Sequence, residues 1–211
     1  MSIAYKISAF NRRRKWKIFN EIIKTTPQTT ILDIGFSSEE YSETDNFLEK
    51  NYDFPSKITA LGIDDPQKFL DRYPLTKAIQ YDGKKFPFSD YCFTVGWSNA
   101  VIEHVGDRDS QLLFIKEINR TCNQAFITTP NRYFPIEVHT RLFLLHYLPK
   151  PIFDMILKLL NKKWATDGYM NLLSLNEIKE LMHLAGIKDY QIIKNRLFGF
   201  TLDFIITWQS K

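Results

Sequence analysis

The sequence predicts an α/β fold: a parallel sheet of five strands that ends in an antiparallel pair, with helices on both faces. Three observations carry this. Short β-branched runs stop at glycine or an acid, amphipathic segments with apolar residues three or four apart lie between them, and the last two strand-like runs are close enough to form a hairpin. A chain of 211 residues, 44% hydrophobic and 25% charged, has ample apolar surface for one core, which excludes a disordered or low-complexity protein. A single domain over 1–211 is expected.

The elements follow in order. Phe10, Trp16, Phe19, Ile22 and Ile23 share one side of an amphipathic leading helix within residues 1–28, interrupted by a basic run. Thr29 to Gly35 reads as the first strand, and Lys57 to Asp64 as a second, buried one that closes on an acid. Lys77 to Gln80, Tyr91 to Trp97 and Gln124 to Thr129 are the third, fourth and fifth, the last stopped by Pro130. Asp109 and Ser110 are placed to cap a helix carrying Leu112, Ile115 and Ile118. A helical insertion over 134–170 breaks the alternation. It includes Pro151 to Leu160, read as a core helix whose lysines would also suit a lid or a contact with acidic lipid. A capped helix from Leu175 to Ala185 ends at Gly186, and the strands Ile187 to Asn195 and Phe200 to Trp208 pair around Gly199.

The net charge is +4, yet Arg12, Arg13, Arg14, Lys15 and Lys17 alone supply five positive charges. A nucleic-acid footprint over the whole body is therefore not indicated, and the basic run is expected to be a solvated face. Cys92 and Cys122 have no zinc-ligand spacing, so neither a disulfide framework nor a metal site is expected, and reduced cytoplasm is the expected location. No segment has the length and apolarity of a membrane span.

Two strand ends carry candidate chemistry. Asp33 and Gly35 sit where the first strand becomes a loop, and glycine there lets the backbone approach a ligand closely. Asp64, at the end of the second strand, can accept hydrogen bonds from the vicinal hydroxyls of a ribose, or can equally be a turn residue before the next helix.

The run Phe86-Pro87-Phe88-Ser89-Asp90, followed by Phe93-Thr94-Val95-Gly96-Trp97-Ser98-Asn99-Ala100-Val101-Ile102-Glu103-His104-Val105, is more specific. With Ile31-Leu32-Asp33-Ile34-Gly35 and Thr128-Thr129-Pro130-Asn131, it resembles the class I S-adenosylmethionine-dependent methyltransferases. The resemblance runs from about residue 29 to the C-terminus. It implies a Rossmann-like seven-stranded sheet, mostly parallel, with S-adenosyl-L-methionine across its carboxyl edge. Asp33, Gly35, Phe36 and Ser37 would lie by the methionine portion, Asp64 at the ribose, Asp82 and Gly83 near the adenine, and Ser98 and Asn99 beside the sulfonium. Asn131, Arg132 and Tyr133 would meet the acceptor. The chain departs from the family's GxGxG loop, having Gly35-Phe36-Ser37-Ser38-Glu39, which sets side chains where glycine usually stands.

Methyl transfer from a sulfonium needs alignment rather than a protein nucleophile, and a hydroxyl acceptor also calls for a base; His104, His139 and Glu137 are the candidates. The expected reaction is methylation at oxygen of a small molecule of the glycan, lipid-linked or quinone-like kind. Two other readings stay open: a catalytically silent binding domain, and a methyltransferase acting on RNA or protein through the basic arm.

Overall fold

The computed structural model describes residues 3–136, 142–163, 166 and 170–210. It contains one seven-stranded sheet in the order β3-β2-β1-β4-β5-β7-β6. Strands β1 (Ile31–Ile34), β2 (Ile58–Gly62), β3 (Lys77–Gln80) and β4 (Phe93–Asn99) pair in parallel, while β6 (Tyr190–Leu197) and β7 (Phe200–Gln209) are antiparallel. Strand β5 is Cys122–Pro130. The seven strands and the terminal hairpin are as the sequence predicts. The order reverses between β1 and β4, and ligands of open α/β sheets bind at the carboxyl ends beside such a point.

The chain packs as two compact units. The first holds residues 1–98, 119–126 and 210–211; the second holds 99–118 and 127–209.

In the first unit, helix α1 (Ile3–Ile23) is anchored by aromatic rings. Phe19 is fully buried, edge-on to Trp97 at 4.9 Å, and Trp97 stacks on Phe126 at 5.3 Å. The basic run is not a solvated face throughout: Lys15 is buried and Arg12 half-buried, because α1 turns part of its charged side toward the sheet. Helix α2 (Phe47–Asn51) and helix α3 (Gln67–Arg72) follow β1 and β2. Thr94 exchanges hydrogen bonds with the backbone N–H and hydroxyl of Thr30, so its place in β4 is one of strand pairing.

In the second unit, helix α4 (Arg108–Thr121, of which 119–121 belong to the first unit) starts one turn earlier than the sequence suggests. Its cap is Asp107, whose carboxylate accepts from Ser110 N at 2.9 Å, and not Asp109. Helix α5 (Lys150–Leu159) buries only Phe153 and Leu157, against Leu142, Leu145 and Met170. It is therefore not an ordinary core helix, since Ile152, Met155 and Leu159 face outward. Helix α6 (Leu175–Leu184) opens with a complete capping box between Ser174 and Glu177. No helix among the described residues is long and apolar enough to cross a membrane.

Candidate functional site

The first unit carries most of the residues singled out in the sequence, and they fall in strand order along one edge. Asp33 ends up buried in β1. Burial pushes its carboxyl up to about 6, against a hydrogen bond from Glu49 and the charge of Arg12, which both favour the ionised form. Glu49, on α2, is also buried, and its carboxyl is held well above the ordinary range, first by burial and then by the neighbouring charge of Asp33. Neither Glu49 oxygen accepts a hydrogen bond from an N–H or hydroxyl. This pair and the reach of Arg12 carry no sequence signature, because neither partner recurs at a helical or strand period.

Beyond β1 the chain exposes Gly35 at φ +101°. Phe36 then turns inward, its ring packed on Phe69 at 4.7 Å and over Gly62, where a Cβ would lie 2.7 Å from the ring. The following loop is tied to itself and to α3. Ser37 N donates to Asn46 Oδ1 at 3.0 Å, and Asn46 Nδ2 donates back to Ser37 O at 2.9 Å. Ser37 Oγ donates to Glu39 O at 2.7 Å. Glu39 pairs with Lys68, which lowers its carboxyl below the ordinary range, and Glu40 accepts from Tyr73 and pairs with Lys50 at 2.9 Å. Glu39 and Glu40 are thus drawn to basic or hydroxyl partners.

At the end of β2, Asp64 is exposed and touches only the Ser38 backbone N–H, at 3.4 Å, among its hydrogen bonds. Next to it Ile63 is 67% exposed, an unusual position for a branched apolar side chain beside a buried strand. Past β3, Asp82 accepts from Lys84 N at 3.0 Å and Gly83 takes φ +78°. A Cβ at Gly83 would stand 3.6 Å from Ile63, so the glycine leaves that apolar surface open and adopts a backbone that side chains disfavour. Ile63 is the residue that sequence reading passes over. At the end of β4, Ser98 is buried and donates to Ile34 O at 3.2 Å.

The second unit has a polar cluster of its own. Asn99 Oδ1 accepts from the Thr128 hydroxyl at 2.7 Å, while its buried Nδ2 has no hydrogen-bond partner. Glu103 is 0% exposed; one carboxylate oxygen accepts from the Thr129 hydroxyl at 3.0 Å and the other has no hydrogen-bond partner. His104 is half-buried in the short turn Ile102–His104, closed by its own N–H on Val101 O at 2.8 Å. Asn131 and Arg132 hold the chain together: Asn131 donates to Thr201 O at 2.9 Å, and Arg132 to Glu177 at 2.8 Å and to Leu172 O at 2.5 Å. Tyr133 is exposed. His146 is bonded to Arg132 O at 3.0 Å. Glu137 and His139 lie outside the described residues.

No protein-family model matches the chain, and no curated protein matches it. Solved structures do. A possible histamine N-methyltransferase from Thermotoga maritima, a SAM-dependent methyltransferase, is 14% identical with a TM-score of 0.57, over 98% of this chain and 94% of that one. The fold is that of the S-adenosylmethionine-dependent methyltransferases. The N-terminal domain of EvdMO1, solved with SAH bound, is 14% identical with a TM-score of 0.56, over 95% of this chain and 81% of that one. The CurJ carbon methyltransferase is 13% identical with a TM-score of 0.58, over 95% of this chain; this chain spans about half of it, 54%.

Gly35 and Gly83 leave the backbone open, Asp64 presents a carboxylate to solvent, and Ile63 offers an apolar face 3.6 Å from the Gly83 position. Glu39, which could repel a carboxylate, is neutralised by Lys68.

Proposed function

We propose that this chain is an S-adenosylmethionine-dependent methyltransferase that delivers the methyl group to an oxygen of a small acceptor of the glycan, lipid-linked or quinone-like kind. The observation that carries the reading is the order of chemistry along the edge β3-β2-β1-β4: an exposed acid and glycine, then an exposed isoleucine and acid, then a buried acid, then a buried serine. Four neighbouring strands at about 4.8 Å span about 14 Å, which suits an extended nucleoside joined to an amino acid.

In this reading Asp82 and Gly83 would hold the adenine edge, with Ile63 against its face. Asp64 would accept from the ribose hydroxyls, and Asp33 would face the ammonium. Arg12, whose positive charge already acts on Asp33, suits the carboxylate of the same amino-acid end. The bound cofactor supplies a methyl group on a good leaving group, so the protein has to align donor and acceptor and exclude water. A hydroxyl acceptor gives up a proton, for which His104 is the candidate among the described residues.

The silent-domain reading rests on the replaced loop glycines; against it, Glu39 is paired with Lys68 and Ser37 Oγ is bonded to the loop backbone. The test is transfer of labelled methyl from S-adenosylmethionine into a cell extract, followed by fractionation. Label in lipid or glycan fractions, lost on Asp64→Ala, supports the proposal; label confined to protein or RNA, or none at all, contradicts it.

A further inference from the structure

We propose that the outer face of α5 docks on the headgroup layer of an anionic lipid bilayer. Of the eighteen exposed large apolar side chains among the described residues, ten lie between Tyr133 and Leu160. Isolated apolar residues at a surface are ordinary, but a concentration of this kind marks a protein or membrane contact.

Helix α5 shows how the concentration arises. At 100° per residue, Ile152, Met155 and Leu159 form a stripe about 150° round the helix from the buried pair Phe153 and Leu157. The helix is therefore apolar on two opposed sides, and only the inner one has protein to cover it. A shallow depression lined by Pro151, Asp154, Met155, Lys158 and Leu159 opens on the outer side. Ten residues of helix are about 15 Å long, half of what a bilayer core requires, so the helix can lie on a membrane but not cross it.

Charge selects the occupant. Lys158 is exposed beside the stripe, Lys163 is exposed past the end of the helix and Lys162 is half-buried, whereas Asp154 is the one acid between residues 142 and 163. Apolar side chains entering the acyl boundary with lysines at the headgroup level is the arrangement of an interfacial helix on anionic lipid. A second copy of this chain would bring the same lysines against one another in a two-fold contact, which repels.

The test is flotation of the full chain, without cofactor, on vesicles of phosphatidylcholine alone and of phosphatidylcholine mixed with phosphatidylglycerol. The expected result is flotation on the mixed vesicles only, weakened by added salt. Lys158→Gln with Lys163→Gln should weaken partition about twenty-five-fold, at about five-fold for each lysine near an anionic surface. Met155→Asp with Leu159→Asp should abolish it while leaving the thermal melt unchanged, because both side chains are exposed. The proposal is overturned by equal flotation on neutral vesicles, by no flotation, by binding that survives both variants, or by self-association lost in the Met155 and Leu159 variant without any vesicle binding. Because no methyl transfer is read, failure here leaves the proposed reaction standing, and failure of that reaction leaves this surface standing.

Discussion

Replacing Asp33 by Asn should stabilise the protein at neutral pH while weakening cofactor binding. Asp33 titrates near 6 in the folded chain against 3.8 unfolded, mainly because burial disfavours the anion. A folded pKa above the unfolded one means that the native state holds the extra proton between those values. Stability therefore falls as pH rises from about 3.8 to about 6, and stays reduced above it. At 1.36 kcal/mol per pH unit the reduction is about 3 kcal/mol, with the attraction of Arg12 already counted in the shift. Asn keeps the shape, removes the charge, and can donate to Glu49. Urea unfolding of both proteins at about pH 4 and about pH 7.5 measures the effect: Asp33→Asn should gain up to about 3 kcal/mol at the higher pH relative to the lower. Calorimetric titration of the same variant with S-adenosylmethionine should show weaker binding, since the ammonium loses its anion. A variant less stable than the parent at pH 7.5, or with the parent's pH profile, would refute the argument from burial.

Phe19→Ala removes a fully buried ring from the contact of α1 with Trp97 and Phe126, and should cost about 3–5 kcal/mol in urea unfolding. Ser174→Ala dismantles the α6 capping box and should lower stability by about 1 kcal/mol, visible as a drop in Tm. Asp64→Ala should weaken cofactor binding about ten- to hundred-fold for the loss of charge-assisted hydrogen bonds, with the melt unchanged because the side chain is exposed. Glu39→Gly should leave cofactor affinity within a few-fold of the parent, because Glu39 is turned to Lys68; a large gain would mean that the acid obstructs the site.

Much of the sheet was legible because a buried strand leaves a short unbroken apolar run: Ile31 to Ile34 and Ile58 to Gly62 sit where that pattern places them. The boundaries that shifted have local causes. Ile187 reads as strand but belongs to the end of α6, where its N–H reaches Met182 O at 3.0 Å and Gly186 N reaches His183 O at 2.9 Å, with Gly186 at φ +77°. Strand β6 accordingly starts at Tyr190. Helix α2 was missed because five residues are too few for a period to show, and its leading Asn46 is in the left-handed region without a side-chain cap.

The residues that the sequence places at strand ends lie along one edge because the topology brings them there. The partners that tune them were not legible in the sequence. Glu49 reaches Asp33 from a helix after an irregular loop, and Arg12 acts from the leading helix. Ile63 reads as the tail of a buried strand, and only the structure shows it exposed beside Gly83. The outward stripe of α5 was hidden for the opposite reason: an apolar run reads as core until the structure shows which side is covered.

Isothermal titration of the purified chain with S-adenosylmethionine, and separately with S-adenosylhomocysteine, tests the central claim most directly. Micromolar binding of both, about −8 kcal/mol, weakened about ten- to hundred-fold in Asp64→Ala, is the predicted result. No heat from either ligand, with the chain shown to be folded by its cooperative melt, would contradict it.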